Sequence, residues 1–474
     1  MDEVVAGVDC STQSTKVVCV EVSSGRVLSS ARAPHRIARP GPGASETEVS
    51  EWEDALAGAL HATRRAREVR AISVAAQQHG LCLLGGSGAP LRPAVLWNDV
   101  RSADAAASLR DRFGAEWWAS SIGLVPVASF TVTKWEWLRA AEPEVAGRVA
   151  AVRLPHDLLV QQLCGRGATD RGDASGTGWW SVVEGAYSAE VLDAVELDAS
   201  ALPDVLGPQE AAGTVTIDAA ERFGLSEGTL VGCGTGDNAG AALGLGLAIG
   251  EPAVSLGTSG TAYAVAESPV CDPSGVVAGF ADATGRYLPL AATLNATLAV
   301  DRFADWLGVD REDVAPDSGR VVVAPFLDGE RTPNLPQASG TVIGLTHATT
   351  PAQVLRAVYE GVVVSLLEAV SLLGVSADAP LVLIGGGARG EAWRDVVRSL
   401  SGRAVIVPAE QELVAMGAAA QAAALVTGEA PEAVARRWDV RRGEELDAVE
   451  QDAATLERHR VARERLLPAM ERPL

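Results

Sequence analysis

One carboxylate near the start of the chain lies beside a turn rich in hydroxyl groups. Residues 4–20, VVAGVDCSTQSTKVVCV, predict two apolar β-strands joined by a tight turn, with Asp9 where the first strand ends. Backbone N–H groups and hydroxyls in such a turn can bind phosphate oxygens, and an aspartate can hold a hydrated magnesium ion beside them. An ordinary hairpin with a solvated aspartate is the alternative interpretation of this stretch.

Two later stretches offer similar chemistry. Residues 253–265, AVSLGTSGTAYAV, again place a Gly/Ser/Thr turn, Gly257–Gly260, between two apolar strands. Recurrence after about half the chain length predicts two similar domains, each beginning with a phosphate-facing hairpin. Further on, Gly385–Ala388 connects a buried strand to a helix, and such a glycine-rich turn lets a flat ligand lie on the backbone. Plain packing of the strand against the helix is the alternative for this third turn.

Length, composition and charge limit the class of protein. A chain of 474 residues is too long for one compact core, so we expect at least two domains. Its 47% hydrophobic and 21% charged residues are typical of a globular protein. The 39 Lys and Arg against 61 Asp and Glu give a formal net charge of −22. Because this charge repels nucleic acid and anionic lipid, we expect neither as a partner.

Cysteine usage and the start of the chain indicate the compartment. The six cysteines are scattered without a CxxC pair, which favours free thiols in a reducing cytosol over a zinc site or disulfides. Met1–Glu3 lacks the basic region of a signal peptide, and no apolar run approaches the ~20 residues of a membrane helix. We therefore expect a cytoplasmic protein with no membrane partner.

Two longer motifs connect the three turns to a known family. Residues 129–138, SFTVTKWEWL, fit its first signature, and GTVIGL at 340–345 with AVYE at 357–360 fits the second. The chain thus resembles the FGGY carbohydrate kinases of the actin-like ATPase superfamily over nearly its whole length. The resemblance implies an α/β fold with two ribonuclease-H-like domains and a central cleft. The implied parts are an N-terminal sugar-binding domain at 1–248, a C-terminal ATP-binding domain at 249–435 and a helical tail at 436–474.

The same resemblance implies an ATP-dependent sugar kinase that uses Mg²⁺. The motifs QHG at 78–80, LWND at 96–99 and GERTP at 329–333 imply D-xylulose as the sugar and D-xylulose 5-phosphate as the product. Gln78 stands where some members have methionine, and His156 where a lysine can occur. The alternatives are a sibling kinase for ribulose or glycerol, and a non-catalytic sugar-binding regulator on the same fold. A homodimer is compatible with the sequence, which does not determine the oligomeric state.

The resemblance also implies roles for two carboxylates. Asp237 is the implied general base, and its place at the start of a helix suits the role because the helix dipole favours the ionised form. An N-cap of its own helix is the alternative for Asp237. Asp9 is the implied metal residue, binding magnesium through water and acting beside the phosphates rather than in proton transfer.

The remaining site residues follow from the resemblance as two groups. A sugar needs partners that donate and accept hydrogen bonds, and the implied sugar-binding residues are Gln78, His79, Trp97, Asp99, Asp237 and Asn238. The residues implied to hold the phosphates and the adenosine are Thr12, Gln13, Gly257, Thr258, Ser259, Gly260, Gly385, Gly386, Gly387, Ala388 and Met416. A structural histidine is the alternative for His79 and core packing is the alternative for Trp97. No role follows for residues 330–333.

Overall fold

The computed structural model describes residues 3–470, which fold into two compact units. The first unit comprises Met1–Leu247, Ala266–Leu288 and Glu412–Val440, and the second comprises Ala248–Val265, Pro289–Gln411 and Arg441–Leu474. Each unit is thus assembled from three chain segments, whereas the sequence-based domain limits assumed contiguous ranges.

The strands are mostly short. In chain order they are β1 (Val4–Cys10), β2 (Ser14–Glu21), β3 (Val27–Pro34), β4 (Glu46–Thr47), β5 (Val69–Ala76), β6 (Cys82–Leu84), β7 (Ala94–Val95), β8 (Ala151–Arg153), β9 (Ala168–Asp170), β10 (Trp180–Ser181), β11 (Ala186–Tyr187), β12 (Asp204–Leu206), β13 (Ala211–Thr214), β14 (Leu230–Gly232), β15 (Thr235–Gly236), β16 (Pro252–Leu256), β17 (Gly260–Ala264), β18 (Val277–Ala281), β19 (Tyr287–Thr293), β20 (Val322–Ala324), β21 (Thr341–Ile343), β22 (Leu381–Ile384), β23 (Val405–Pro408) and β24 (Gly443–Leu446).

The helices range from one turn to six turns. In chain order the α-helices are α1 (Val49–Thr63), α2 (Ala103–Phe113), α3 (Ala115–Ile122), α4 (Thr131–Ala141), α5 (Pro143–Ala146), α6 (Pro155–Cys164), α7 (Arg171–Ser175), α8 (Ala189–Ala194), α9 (Ile217–Phe223), α10 (Asp237–Gly244), α11 (Thr297–Leu307), α12 (Pro351–Leu372), α13 (Glu391–Ser401), α14 (Leu413–Thr427), α15 (Pro431–Trp438) and α16 (Ala453–Met470). Short 3₁₀ helices span Ala66–Glu68, Ala199–Ala201 and Gly386–Arg389.

The main sheet of the first unit contains the opening hairpin. Its strands run in the order β13-β14-β5-β1-β2-β3, and β15 also pairs with β5. β1 is antiparallel to β2 and parallel to β5, and β5 is parallel to β14. All seven residues of β1 are buried, which explains why this strand is an unbroken apolar run rather than an alternating one.

The second unit repeats this arrangement. Its strands run in the order β19-β17-β16-β22-β23-β24. β16 is antiparallel to β17 and parallel to β22, which is parallel to β23. Both sheets therefore contain three antiparallel strands followed by two parallel ones, in the ribonuclease-H-like order third, second, first, fourth, fifth. This repetition confirms the predicted α/β fold with two similar domains.

Helix α14 packs by backbone contact against two elements of the first unit. A Cβ atom added to Gly7 on β1 would lie 1.9 Å from the carbonyl oxygen of Ala415. One added to Gly417 would lie 1.9 Å from the carbonyl oxygen of Gly240 on α10. These distances leave no room for a methyl group, so glycine at these positions is what allows the helix to approach β1 and α10 so closely.

Two elements differ from the sequence-based expectation. The sequence of residues 239–249, AGAALGLGLAI, is small and apolar enough to predict one helix, but α10 ends at Gly244 and the chain turns at Gly246, which has a positive φ of 61°. The tail from residue 436 was expected to be helical, but β24 interrupts it by pairing antiparallel to β23. That pairing completes the edge of the second sheet, a tertiary effect that local helix propensity cannot show.

Within residues 3–470 no single helix is both long and apolar enough to cross a membrane. Only α14 and α15 taken together have the length and composition for it, and the pair is bent by 116°.

The close contact of α14 with α10 can be tested by a substitution at Gly417. Gly417→Ala is expected to lower the free energy of unfolding by about 1–3 kcal/mol, because the methyl group has to displace the backbone of α10. Urea unfolding monitored by circular dichroism measures the change.

Gly58→Ala is the matched control. Gly58 lies on the exposed side of α1, where an added Cβ would have one neighbour, at 3.8 Å. Alanine there is expected to raise stability by about 0.5–1 kcal/mol through helix propensity. Equal stabilisation by both substitutions would contradict the close contact.

Candidate functional site

Asp9 lies on β1 opposite Lys16 of β2 and is 5% exposed. Its Oδ2 is 3.8 Å from Nζ of Lys16, which in turn contacts Oε2 of Glu412 at 2.7 Å. Burial raises the pKa of Asp9 to about 6, although the Lys16 ammonium opposes that shift. A carboxylate in this environment remains ionised at neutral pH and needs a further cation.

The chemistry of Asp9 suits a hydrated magnesium ion. Its Oδ1 is buried and has no hydrogen-bond partner within residues 3–470, so it retains an acceptor for a metal ion or a metal-bound water. The described residues contain no cluster of three or more His, Cys, Asp or Glu side chains able to hold a metal ion. A single carboxylate binding through water, with phosphate oxygens supplying other ligands, is the coordination that magnesium prefers beside nucleotides.

Asp237 is the first residue of α10, and the N-cap position is occupied by Gly236. The carboxylate therefore lies at the first helical position and not at the N-cap. Its Oδ1 accepts hydrogen bonds from the backbone N–H of Asn238 at 2.7 Å and from Nδ2 of the same residue at 2.9 Å. Burial, together with the negative charge of Asp9, raises the pKa of Asp237 to about 7. A carboxylate with this pKa can accept a proton at neutral pH.

Gln78 joins this group from the end of β5. Its Oε1 accepts a hydrogen bond from Nδ2 of Asn238 at 3.2 Å. A Cβ added to Gly236 would lie 2.6 Å from Cγ of Gln78, so glycine before Asp237 makes room for this amide. The structure thus brings together Asp9, Gln78, Asp237 and Asn238, four of the residues predicted from the sequence.

His79 has a fixed ring. Its backbone adopts a positive φ of 65°, and its Nδ1–H donates to the carbonyl oxygen of Gly176 at 2.9 Å. The rings of Phe130 and Phe280 lie 5.0 and 5.6 Å from the imidazole. A left-handed backbone conformation combined with a fixed ring orientation is typical of a binding site. The bond to Gly176 also determines that Nδ1 is the ring nitrogen that carries the proton.

Trp97 connects the predicted sugar residues to the predicted phosphate turn. Its ring is 38% exposed, so core packing does not account for it. Its indole Nε1–H donates to Oγ1 of Thr12 at 3.0 Å. Gln13, the next residue of the turn, has an exposed side chain, and its carbonyl oxygen accepts from the backbone N–H of His35.

Asp99, which was predicted to contact the sugar, is held by hydrogen-bond donors of the first unit. Its side chain is buried, and both carboxylate oxygens are engaged by neighbours in the first unit. Oδ2 accepts from the backbone N–H of Ser45 at 2.8 Å, and both oxygens accept from Nε of Arg101 at 3.0 and 3.1 Å. With its lone pairs used in this way, Asp99 holds the loop after β7 in place, which argues against the direct sugar contact that was expected.

The two glycine-containing turns of the second unit adjoin each other. Thr297 donates through Oγ1 to the carbonyl oxygen of Gly257 at 2.8 Å. A Cβ added to Gly387 would lie 2.9 Å from Cγ2 of the same threonine, and one added to Gly385 would lie 2.8 Å from the carbonyl oxygen of Leu256. The strand-to-helix turn therefore packs directly on the hairpin turn.

The accessible part of these turns is small and uncharged. The side chain of Thr258 is exposed, Ser259 is half-buried and Gly260 is buried. In the other turn Gly385 and Gly386 are exposed, and a Cβ added to Gly386 would have no neighbour within 4 Å. Ala388 is buried. Bare backbone at Gly386 is the surface on which a flat ligand could lie.

Met416, which was predicted to contact the adenine, is a deeply buried residue of α14. It is 2% exposed. A side chain this deeply buried has no surface to offer an adenine ring. The apolar run that contains it serves the packing of α14 against the first sheet.

The structure shows a role for Glu330, which the sequence left unassigned. This glutamate is 1% exposed and accepts hydrogen bonds from the backbone N–H groups of Leu294 and Asn295 and from Nδ2 of Asn295. It therefore anchors the loop between β19 and α11 within the second unit.

Sequence reasoning missed several polar residues. Lys16 faces Asp9 across the hairpin, and strict antiparallel pairing of the predicted strands would have found it. Gln421 of α14 donates through Nε2 to the carbonyl oxygen of Gly234 at 3.0 Å. His156 packs below the same glycine, among three aspartates. No local pattern indicates the contact of Gln421, because Gly234 lies 187 residues away, and no role for His156 followed from the sequence.

Comparisons with known proteins agree with this architecture. The model of the N-terminal domain of the FGGY family of carbohydrate kinases matches residues 4–244, and that of the C-terminal domain matches residues 253–426. Over 459 residues, 96% of the chain, it is 57% identical to a xylulose kinase of Streptomyces rubiginosus and 58% identical to one of Streptomyces coelicolor, covering 94% of each. The crystal structure of xylulose kinase from Bifidobacterium adolescentis superposes with a TM-score of 0.86 at 36% identity, covering 98% of this chain and 99% of that one. The chain belongs to the FGGY family of carbohydrate kinases.

Proposed function

We propose that this chain transfers the terminal phosphoryl group of ATP to D-xylulose, giving D-xylulose 5-phosphate and ADP. The observation that carries the choice of sugar is the identity of 57–58% to two curated xylulose kinases over 96% of the chain. The polar group formed by Gln78, Asp237 and Asn238 supports the proposal, because amides and a carboxylate are the partners that a polyol requires.

Asp237 acts as the general base in this proposal. Both hydrogen bonds from Asn238 go to Oδ1, which fixes the direction of the carboxylate and directs Oδ2 toward another partner. A pKa of about 7 keeps enough of the ionised form at neutral pH to accept the proton of the attacking hydroxyl. Because the transition state of phosphoryl transfer is loose, the carboxylate chiefly orients the hydroxyl and takes its proton late.

Asp9 holds the metal and phosphate side of the reaction in the first unit. Its unpartnered Oδ1 would bind a water of the magnesium ion, which when bound supplies positive charge to the phosphate oxygens. Lys16 keeps Asp9 ionised and is itself fixed by Glu412. Asp9 is less suited than Asp237 to accept a proton, because the nearby ammonium lowers its pKa.

In the second unit, uncharged donors bind the nucleotide. Thr258, Ser259 and Gly260 contribute hydroxyl and backbone N–H groups to the phosphates, and Gly385–Ala388 contributes bare backbone to the adenosine. The exposure of Thr258, Gly385 and Gly386 supports these roles.

The sugar assignment is tested by ADP release with a panel of acceptors. D-Xylulose is expected to give a larger kcat/KM than D-ribulose or glycerol, because a pocket that hydrogen-bonds particular hydroxyls discriminates strongly against analogues that place them differently. A higher value for ribulose or glycerol would assign the chain to a sibling kinase. Sugar binding without ADP release from any acceptor would instead indicate a regulator.

Asp237→Asn tests the base. The substitution is expected to lower kcat by about 10²–10⁴-fold, since the amide cannot accept the proton, while binding of the sugar changes little. Steady-state kinetics with D-xylulose give kcat, and calorimetric titration of the sugar gives binding. Near-native kcat in a folded variant would rule out Asp237 as the base.

The pH dependence of the unsubstituted enzyme gives a second measure of the same role. Asp237 must be ionised to accept a proton, so kcat/KM for the sugar is expected to be constant above its pKa of about 7 and to fall about tenfold per pH unit below it. The residual activity of Asp237→Asn should lack this fall. If the Asp237→Asn variant shows the same fall in activity at low pH, that fall belongs to the titration of another group.

The contact between Trp97 and Thr12 makes a further test. An indole N–H can only donate, so Oγ1 of Thr12 must accept, and its own hydrogen is left for a phosphate oxygen. Trp97→Phe, which removes the N–H and keeps a ring, is expected to raise KM for ATP about threefold to tenfold, as the loss of one hydrogen bond predicts.

Thr12→Val completes a double-mutant cycle with Trp97→Phe. If the indole acts through the hydroxyl, the double variant should have about the same KM for ATP as Thr12→Val alone. Additive effects would show that the two residues act independently.

A further inference from the structure

A fully buried histidine of the first unit lies among three aspartates. His156 is the second residue of α6 and has no exposed surface. Its Nδ1 is 2.7 Å from Oδ2 of Asp173, and its Nε2 is 3.2 Å from Oδ1 of Asp157 and 3.9 Å from Oδ1 of Asp170. None of these four side chains takes part directly in the proposed reaction. We call the four together the buried aspartate cluster.

Three carboxylates favour the charged form of the His156 ring. Burial alone would lower the pKa of His156, but the three carboxylates outweigh that effect and raise it to about 9. A neutral ring would leave the carboxylates of the buried aspartate cluster without a cation, and uncompensated buried charge is strongly unfavourable. The imidazolium is therefore the group that allows three aspartates to share one buried volume.

The buried aspartate cluster is connected to the segment that precedes the proposed base. Oδ2 of Asp170 accepts a hydrogen bond from Oγ1 of Thr235 at 2.9 Å, and Thr235 lies two residues before Asp237. Gly234, with a φ of +82°, lies directly against His156, and a Cβ added to this glycine would be 2.3 Å from Cδ2 of the ring. The His156 ring thus packs against Gly234, and Asp170 holds the same segment through the hydroxyl of Thr235.

The buried aspartate cluster also adjoins Gln78. Asp170 accepts from the backbone N–H groups of Gly172 and Asp173 at 2.9 Å, which fixes the start of α7 and so the position of Asp173. Burial raises the pKa of Asp173, while His156 and, more weakly, Gln78 oppose that rise, so the carboxylate of Asp173 borders the amide that contacts Asn238. Three aspartates and one imidazolium therefore support both the base and the neighbouring amide.

We propose that His156 is a positioning residue for phosphoryl transfer, because it is the shared cation that holds Asp170 and Asp173 and, through Thr235 and Gln78, fixes Asp237 against the sugar. The proposal rests on the role of Asp237 as general base. Small displacements of a base relative to the attacking hydroxyl cost up to about 10²-fold in rate, so loss of this support should reduce kcat more than it weakens binding of ATP.

The experiment compares His156→Gln with His156→Lys in the full-length protein. The neutral glutamine is expected to reduce kcat about 10-fold to 100-fold while KM for ATP changes less than about threefold. Lysine supplies a cation in place of the imidazolium and is expected to recover kcat to within about threefold of the unsubstituted enzyme. Kinetics are measured well below the melting temperature of each variant, so that only folded protein is compared.

His459→Gln is the matched control for loss of a buried histidine. His459 is also fully buried, and its Nε2 lies 3.7 Å from Oε2 of Glu360 in the second unit. This variant is expected to melt at a lower temperature with unchanged kcat. If His156→Gln behaves in the same way, its role is only structural and the inference is overturned.

Thr235 provides a test that does not depend on the folding of His156 variants. Thr235→Val removes the hydroxyl that contacts Asp170 and keeps the shape of the side chain, and it is expected to reduce kcat about tenfold. Thr235→Ser keeps the hydroxyl and should retain the native kcat. Equal kcat in the valine and serine variants would overturn the inference.

The outcome for Asp237→Asn separates this inference from the proposed base. If the Asp237→Asn variant is active, Asp237 is not the base, and the positioning role proposed for His156 fails with it. An inactive Asp237→Asn variant together with native kcat in both His156→Gln and Thr235→Val keeps the base and overturns only the positioning role.

Discussion

The arrangement of the first unit depends on the close approach of α14 to β1 and α10. A methyl group at either Gly7 or Gly417 would lie 1.9 Å from backbone of another element, so the three elements can pack this closely only where side chains are absent. β1 carries Asp9, and α10 begins with Asp237. One helix thus sets the position of both carboxylates by backbone contact, which is more rigid than placement on loops.

Burial then gives these two carboxylates different properties. Both have a raised pKa, about 6 for Asp9 and about 7 for Asp237, because each is removed from water and Asp9 adds a like charge to the environment of Asp237. The nearby Lys16 keeps Asp9 the more acidic of the two. Two neighbouring acids whose environments separate their pKa values divide their tasks accordingly, one remaining ionised toward a cation and the other poised to take a proton.

Local signals made most of the fold and part of the site predictable. Hairpins, glycine turns and the strand ends that carry Gln78 and Asp237 are encoded within short windows, and side chains at adjacent strand ends must lie close together. The partners of Asp99 were not predictable, because the backbone N–H that uses one of its oxygens belongs to Ser45, 54 residues away. The burial of Met416 was not predictable either, because helical sequence does not show which side of α14 is covered. Charge balance around His156 likewise exists only after folding.

The two units share a strand order, but the charge beside their first hairpin turns differs. The hairpin turn of the first unit follows a carboxylate, Asp9, whereas the corresponding turn of the second unit, Gly257–Gly260, contains only glycine, threonine and serine. A chain with a net charge of −22 repels a polyphosphate at long range, so its anionic substrate has to be bound by short-range contacts. Backbone N–H groups and hydroxyls provide such contacts without added charge, and a buried carboxylate does so only through a cation. Two units with the same strand order thus differ in the charge that accompanies their first hairpin turns.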